Sequence, residues 1–270
     1  MIEKNVSIHK KSVTRILYMD PTSKRVNIND NRFYSRNNDY YPSVTSILQF
    51  LPKGKFFETW LKDVGHNADI IVKKAADEGT QVHDAIERYL LGEKIEWLNK
   101  DGYSNYSLDV WKMILKFHEF WTNFKPVLIE SEMHLFSDKH KFAGTCDLVV
   151  EIDGVRWLLD IKTSNSLHTA MDLQLAAYAE AWNETFEEKV ERVGIIWLKS
   201  SKRGEDKKGK LMQGKGWEIY EPTRSIEDNF KLFGYVYELF KLENPDPKPN
   251  SDQYPIEIQL DPNIYDKIEE

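Results

Sequence analysis

Two hydrophobic periods alternate along the chain. Over about 56–91, Val72, Ala75, Ala76, Val82, Ile86 and Leu90 recur at three- to four-residue spacing, and over about 108–124 Val110, Ile114, Phe117 and Trp121 do the same. Residues so spaced share one helix face, so the pattern predicts two amphipathic helices. Gly92 ends the first and Pro126 stops the second. After Pro126 the pattern shortens to apolar runs at 127–136, 142–152 and 155–163, which predict three strands. A helix over about 170–186 follows, then strands over 191–199 and 216–221 and a last helix over 225–242. Upstream, β-like pieces at 14–18 and 25–28 flank the turn Asp20-Pro21-Thr22-Ser23 and predict a hairpin. Pro42-Ser43 opens a helix with Ser43 as its N-cap. Residues 93–106 are polar and loop-like, and the three prolines of 244–250 cannot share a helix. Helices, three strands, a helix and further strands make an α/β fold with a mixed central sheet flanked by helices and a helical N-terminal region. There is no internal repeat.

Composition supports a packed fold. Of 270 residues, 41% are hydrophobic and 13% aromatic, enough for a sizeable core. The length is compatible with one domain over 1–270, divided into a hairpin region (1–40), a helical region (41–125), an α/β core (126–243) and a tail (244–270). Cys146 is the one cysteine, which excludes an intramolecular disulfide and a four-cysteine iron–sulphur cluster within the chain. No apolar run reaches the length of a membrane span, and the first residues form neither an apolar signal core nor an Arg-rich presequence. The expectation is a cytoplasmic protein with no membrane partner. The net charge of −7 disfavours a protein that coats nucleic acid, but allows an enzyme with a local basic track beside an acidic metal site.

Candidate chemistry concentrates between Gly144 and Tyr178. The segment Gly144-Thr145-Cys146-Asp147 opens one predicted strand, and Asp160-Ile161-Lys162 closes the next across a turn at Asp153-Gly154. Asp160 and Lys162 share a strand face, and pairing across the turn brings Asp147 close to both. Two carboxylates and an ammonium on one face are costly without a partner. A divalent metal and a phosphate would stabilise them.

These residues resemble the core of the PD-(D/E)xK nuclease superfamily, whose fold is restriction-endonuclease-like. Asp172 to Tyr178 resembles the Q-x-x-x-Y motif of its RecB-type branch through Gln174 and Tyr178. Gly79-Thr80-Gln81-Val82-His83 resembles that branch's G-T-x-x-H helix, and Tyr41-Pro42-Ser43-Val44-Thr45 its P-S-V-T opening. The opening is shared by phage-encoded nucleases and the mitochondrial genome maintenance exonucleases. The residue before the first acid is Cys146 where the pattern has proline.

The resemblance implies a Mg2+- or Mn2+-dependent deoxyribonuclease using one or two ions, in a bacterial or phage-infected cell and acting in replication, recombination or repair. It implies metal ligation by His83, Asp147, Asp160 and the Ile161 carbonyl. Lys162 would stabilise charge on the phosphate or orient and help deprotonate the attacking water. Gln174 and Tyr178, one helical turn apart, would contact the lysine, the water or the nucleic acid. Glu87 lies one turn after His83 and is a candidate to lie near the site. Alternation puts Glu130, Glu132 and His134 on one strand face, and Glu132 is the candidate among them by resemblance.

Elsewhere, seven basic residues of 199–215 against Glu205 and Asp206 leave a local charge of +5. Between two strands this reads as a long loop, in which Lys202, Arg203, Lys207, Lys208 and Lys210 are candidates for DNA contact. Phe56, Phe57 and Trp60 are expected in the core, with base stacking as the alternative. By analogy the expected activity is exonucleolytic, on single-stranded DNA or DNA ends. The rivals are an endonuclease or nickase with the same site and a non-catalytic nucleic-acid-binding subunit of a larger complex. Protein partners and oligomeric state stay open.

Overall fold

The strand run after Pro126 builds the sheet that the two large cores cover. The structure is a computed structural model that describes residues 2–8, 11–17, 22–28, 31–199, 204–205, 211–212, 216–249 and 258–259, with side chains in 22–27, 32–55, 57–199, 216–249 and 258–259.

Strands β1 (Ile2–Ile8) and β2 (Lys11–Leu17) pair with each other, while β3 (Lys24–Ile28), β4 (Asn31–Arg36) and β5 (Asp39–Pro42) form a three-stranded antiparallel sheet. The hairpin expected between 14–18 and 25–28 is therefore two separate pairings. Each strand finds its partner across a nearer turn, and closing a shorter loop costs less entropy. Helix α1 (Val44–Leu48) starts at Ser43, whose hydroxyl accepts from the Ser46 amide. The P-S-V-T opening thus caps a buried helix.

The long helix expected from 56 to 91 is broken. Helix α2 (Lys55–Val64) ends at Gly65, whose φ of 55° an L side chain rarely adopts, and a 3-10 turn leads into α3 (Ala68–Leu90). Only the second half of the predicted stripe is buried: Val82, Ile86 and Leu90 pack inward, joined by Ala85, whereas Val72, Ala75 and Ala76 are exposed. Phe57 and Trp60 join neither large core; their rings pack on each other, with Lys53 over Phe57. This corrects the core placement of both, and the Phe56 side chain lies outside the described residues.

Helix α4 (Leu108–Phe124) is capped by Ser107. Strands β6 (Val127–Ser137), β7 (Phe142–Ile152) and β8 (Val155–Lys162) then form an antiparallel meander. Helix α5 (Thr169–Thr185) crosses over to β9 (Arg192–Trp197), which pairs parallel to β8. The two-residue strands β10 (Gly204–Glu205) and β11 (Leu211–Met212) pair with each other. Strand β12 (Glu218–Tyr220) closes the sheet edge beside β9, and α6 (Ile226–Glu243) follows its Ser225 cap. The mixed five-stranded sheet runs β12-β9-β8-β7-β6. One of its faces packs on α1, α5 and α6, the other on α3 and α4. The small sheet β3-β4-β5 joins β6 and β7 through Tyr34, Tyr41, Phe136 and Ala143. Among the described residues no helix is long and apolar enough to cross a membrane.

Candidate active site

Five elements converge where β7 and β8 diverge. Val82, Ala85 and Ile86 bury one face of α3 against Leu148 and Ile161, which fixes His83 beside the end of β8. Gly79 makes the approach possible, because a Cβ there would lie 3.2 Å from Thr163 Oγ1. His83 Nε2 is 3.1 Å from the Ile161 carbonyl oxygen, and Nδ1 is 3.6 Å from Glu132 and 3.8 Å from Asp147.

Glu132 reaches the site through a local irregularity. Its φ is 50°, in the left-handed region uncommon for a residue with a side chain. On the neighbouring strand Cys146 and Val149, an odd number of residues apart, sit in the same core, so alternation slips by one between them. Glu130, the register partner of Val149, is thereby turned away from Glu132. His134 packs instead on Tyr34 and meets the Ser23 hydroxyl. The shared face expected for Glu130, Glu132 and His134 does not form, and Glu132 alone meets His83. Glu87 is exposed, and no hydrogen bond or ion pair among the described residues takes it to the site.

Asp147 Oδ2 accepts from the Ile161 amide at 2.6 Å, which ties the two strands together at their open end. Asp160 is buried, with Oδ2 2.7 Å from Lys162 Nζ but without a directional hydrogen bond there. Gln174 on α5 is the hub. Its Nε2 donates to Asp160 Oδ1 at 3.4 Å and to Tyr178 Oη at 3.1 Å, while its Oε1 accepts from Lys162 Nζ at 3.4 Å. Tyr178 packs against Gly144, where a Cβ would fall 2.3 Å from Tyr178 Cε1. The glycine is therefore required by the tyrosine on the facing helix.

The electrostatics follow from burying charges together. Burial alone would lower the His83 pKa, but Asp147 and Glu132 outweigh it and raise the imidazole to about 9. Burial raises Asp160 to about 6 against the pull of Lys162, and it raises Asp147 as well. Burial opposes the Lys162 ammonium, yet Asp160 and Asp147 hold its pKa above the usual lysine value. Cys146, fully buried beside these acids, is pushed far from thiolate formation by burial.

Ligand atoms of His83, Glu132 and Asp147 lie within 4.8 Å of one another. With Oδ2 of buried Asp160 lacking a directional hydrogen bond, this set of one imidazole and several carboxylate oxygens fits a divalent cation. Lys202, Arg203, Lys207, Lys208 and Lys210 lie outside the described residues.

Two residues near the site were missed by the sequence reading. Thr145 accepts or donates a 2.9 Å hydrogen bond with the Tyr34 hydroxyl, which ties the small sheet to the strand bearing Asp147. The partners are 111 residues apart, so spacing gave no signal.

The family profile of the PD-(D/E)XK nuclease superfamily matches residues 53–251. No curated protein matches the chain significantly in sequence. A solved structure from Eubacterium rectale, named "Putative exonuclease", is 12% identical and has a TM-score of 0.39; the match covers 69% of this chain and 77% of that one. A score that low carries no argument by itself. The profile match spans well over half of the chain, which belongs to the PD-(D/E)XK nuclease superfamily.

Proposed function

We propose that the protein hydrolyses phosphodiester bonds in DNA with the help of Mg2+ or Mn2+, as an exonuclease on single-stranded DNA or DNA ends. The observation that carries this reading is the junction of Asp147, Asp160, Lys162, His83 and Glu132 at one open end of the sheet. Cations held by His83, Glu132, Asp147, Asp160 and the Ile161 carbonyl would neutralise the phosphate and the leaving oxygen.

The side chains divide the remaining work. Lys162 stays an ammonium through neutral pH, so its task is to stabilise charge developing on the phosphate oxygens rather than to take a proton from water. Asp160, poised at about 6, orients the attacking water in line with the scissile bond. Gln174 fixes Asp160, Lys162 and Tyr178 relative to one another. Tyr178, its body packed on Gly144 and its hydroxyl at Gln174, holds the rim of the site.

The exonuclease preference rests on the P-S-V-T opening and on the order of motifs. An endonuclease or nickase would share every group named so far. Cleavage of 5′- and 3′-labelled linear single strands, duplexes and a circular single strand separates the two. Linear strands cut from one end with the circle intact support the exonuclease, and the label gives its direction. A cut circle would replace it with an endonuclease. Replication, recombination or repair in a bacterial or phage-infected cell is the setting this activity suits. Retained DNA binding without cleavage under either metal would favour the non-catalytic subunit.

A further inference from the structure

A second polar cluster borders the acids. Thr145 stands two residues before Asp147 on β7, and its register partner His134 stands two residues after Glu132 on β6. Two residues are about 7 Å of strand. As His83 covers the Glu132–Asp147 side, Tyr34 covers the His134–Thr145 pair. Its hydroxyl lies 2.9 Å from Thr145 Oγ1 and its ring centroid 5.1 Å from that of His134. On the small sheet Arg25 is the register partner of Tyr34, and Asn27 of Arg32. Cross-strand partners and residues two apart share a face, so Arg25, Asn27, Arg32 and Tyr34 lie side by side. Both arginines are close enough to the Tyr34 hydroxyl to act on it.

These two guanidiniums differ from the others. Among the described residues Arg36, Arg88, Arg156, Arg192 and Arg224 each face a carboxylate, whereas Arg25 and Arg32 do not. Arg25 is exposed and Arg32 half-buried. Two guanidiniums that face no carboxylate among the described residues thus lie side by side on the sheet that Tyr34 ties to the strand bearing Asp147. Arg25, Asn27, Arg32 and Tyr34 precede the 53–251 stretch that the superfamily profile covers.

We propose that this face of the N-terminal sheet is a nucleic-acid subsite, in which Arg25 and Arg32 grip backbone phosphates of the strand next to the scissile bond and Asn27 adds a hydrogen bond. The proposal rests on the nuclease reading above. A guanidinium fork matches phosphate in charge and geometry, and a strand lying across the acids has to continue past them. Such contacts carry no base information, so the subsite would hold any sequence.

The test is binding of a fluorescent single-stranded oligonucleotide over a salt series with Ca2+ in place of Mg2+, together with cleavage kinetics. Each phosphate contact to a single strand adds about 0.7 to the slope of log affinity against log salt, so R25A/R32A should lower that slope by about 1.4. The same variant should raise KM more than it lowers kcat. R25K/R32K keeps the charges and should restore most of the slope. K94A/K241A removes two charges elsewhere and should leave the slope unchanged. An R25A/R32A protein with wild-type slope and KM overturns the subsite, as does an equal fall in K94A/K241A, which would mean a general charge effect. Should R25A/R32A fail to fold, R25Q/R32Q carries the same two readings. If the wild type neither binds nor cleaves nucleic acid, the nuclease reading itself fails; if the wild type cleaves and R25A/R32A is unaltered, only the subsite fails.

Discussion

At the scale of single residues the site is a balance of buried charges. Lys162 neutralises Asp160 at 2.7 Å, and on the reading proposed above the same ammonium stabilises the transition state. Lys162→Ala is expected to lower the cleavage rate at least a hundredfold, about 3 kcal/mol of barrier, while metal binding survives; steady-state rates and calorimetry on the same preparation check this. His83 sets the pH behaviour. Its folded pKa of about 9 lies above the ordinary 6.5, so on the proposed reading, with His83 as a ligand, a cation has to displace a proton. Cation affinity should therefore rise with pH up to about 9 and then level, with proton release visible in calorimetry; a flat profile would count against ligation by His83. The linkage for stability has the opposite sign. The ion pairing of His83 with Asp147 and Glu132 is fully present below pH 6.5 and is lost as pH rises through about 9. Chelated protein should lose thermal stability over that window.

At the scale of elements, packing explains which parts of the site could be read in advance. Asp147, Asp160, Lys162, Gln174 and Tyr178 lie within one meander and its crossover helix, so local pattern sufficed to place them on β7, β8 and α5. Alternation could not single out Glu132, which only the resemblance marked, because the chain breaks the alternation at a left-handed residue. The stripe over 56–91 failed for a similar reason. Apolar spacing does not reveal that Gly65 turns the chain, nor that among the described residues the first half of α3 meets no facing element that would bury Val72. Gly144 shows how far apart cause and motif can be, since its missing Cβ serves a tyrosine on α5. Gly144→Ala should destabilise the fold by about 1–3 kcal/mol, a cost typical of overpacking, and Tyr178→Gly/Gly144→Ala should cost less than the sum of the single changes; denaturant melts of the three proteins decide it. Ser107→Ala, which removes the α4 cap, should cost about 1 kcal/mol and leave cleavage per folded molecule unchanged.

At the scale of the whole molecule, a sheet covered on both faces leaves one open end, and the chain places its buried acids there. Long-range contacts, Tyr34 to Thr145 above all, tie the N-terminal sheet to that end across 111 residues. No linear pattern carries such a contact, which is why the motifs pointed to the chemistry while the basic face beside it went unnoticed. The most direct test of the central claim is a cleavage time course on linear single-stranded DNA with chelator, Mg2+ or Mn2+, run for wild type and Lys162→Ala. The account predicts cleavage by wild type with either ion, none with chelator, and at least a hundredfold less by the variant. Cleavage that persists in chelator, or in correctly folded Lys162→Ala at the wild-type rate, would contradict it.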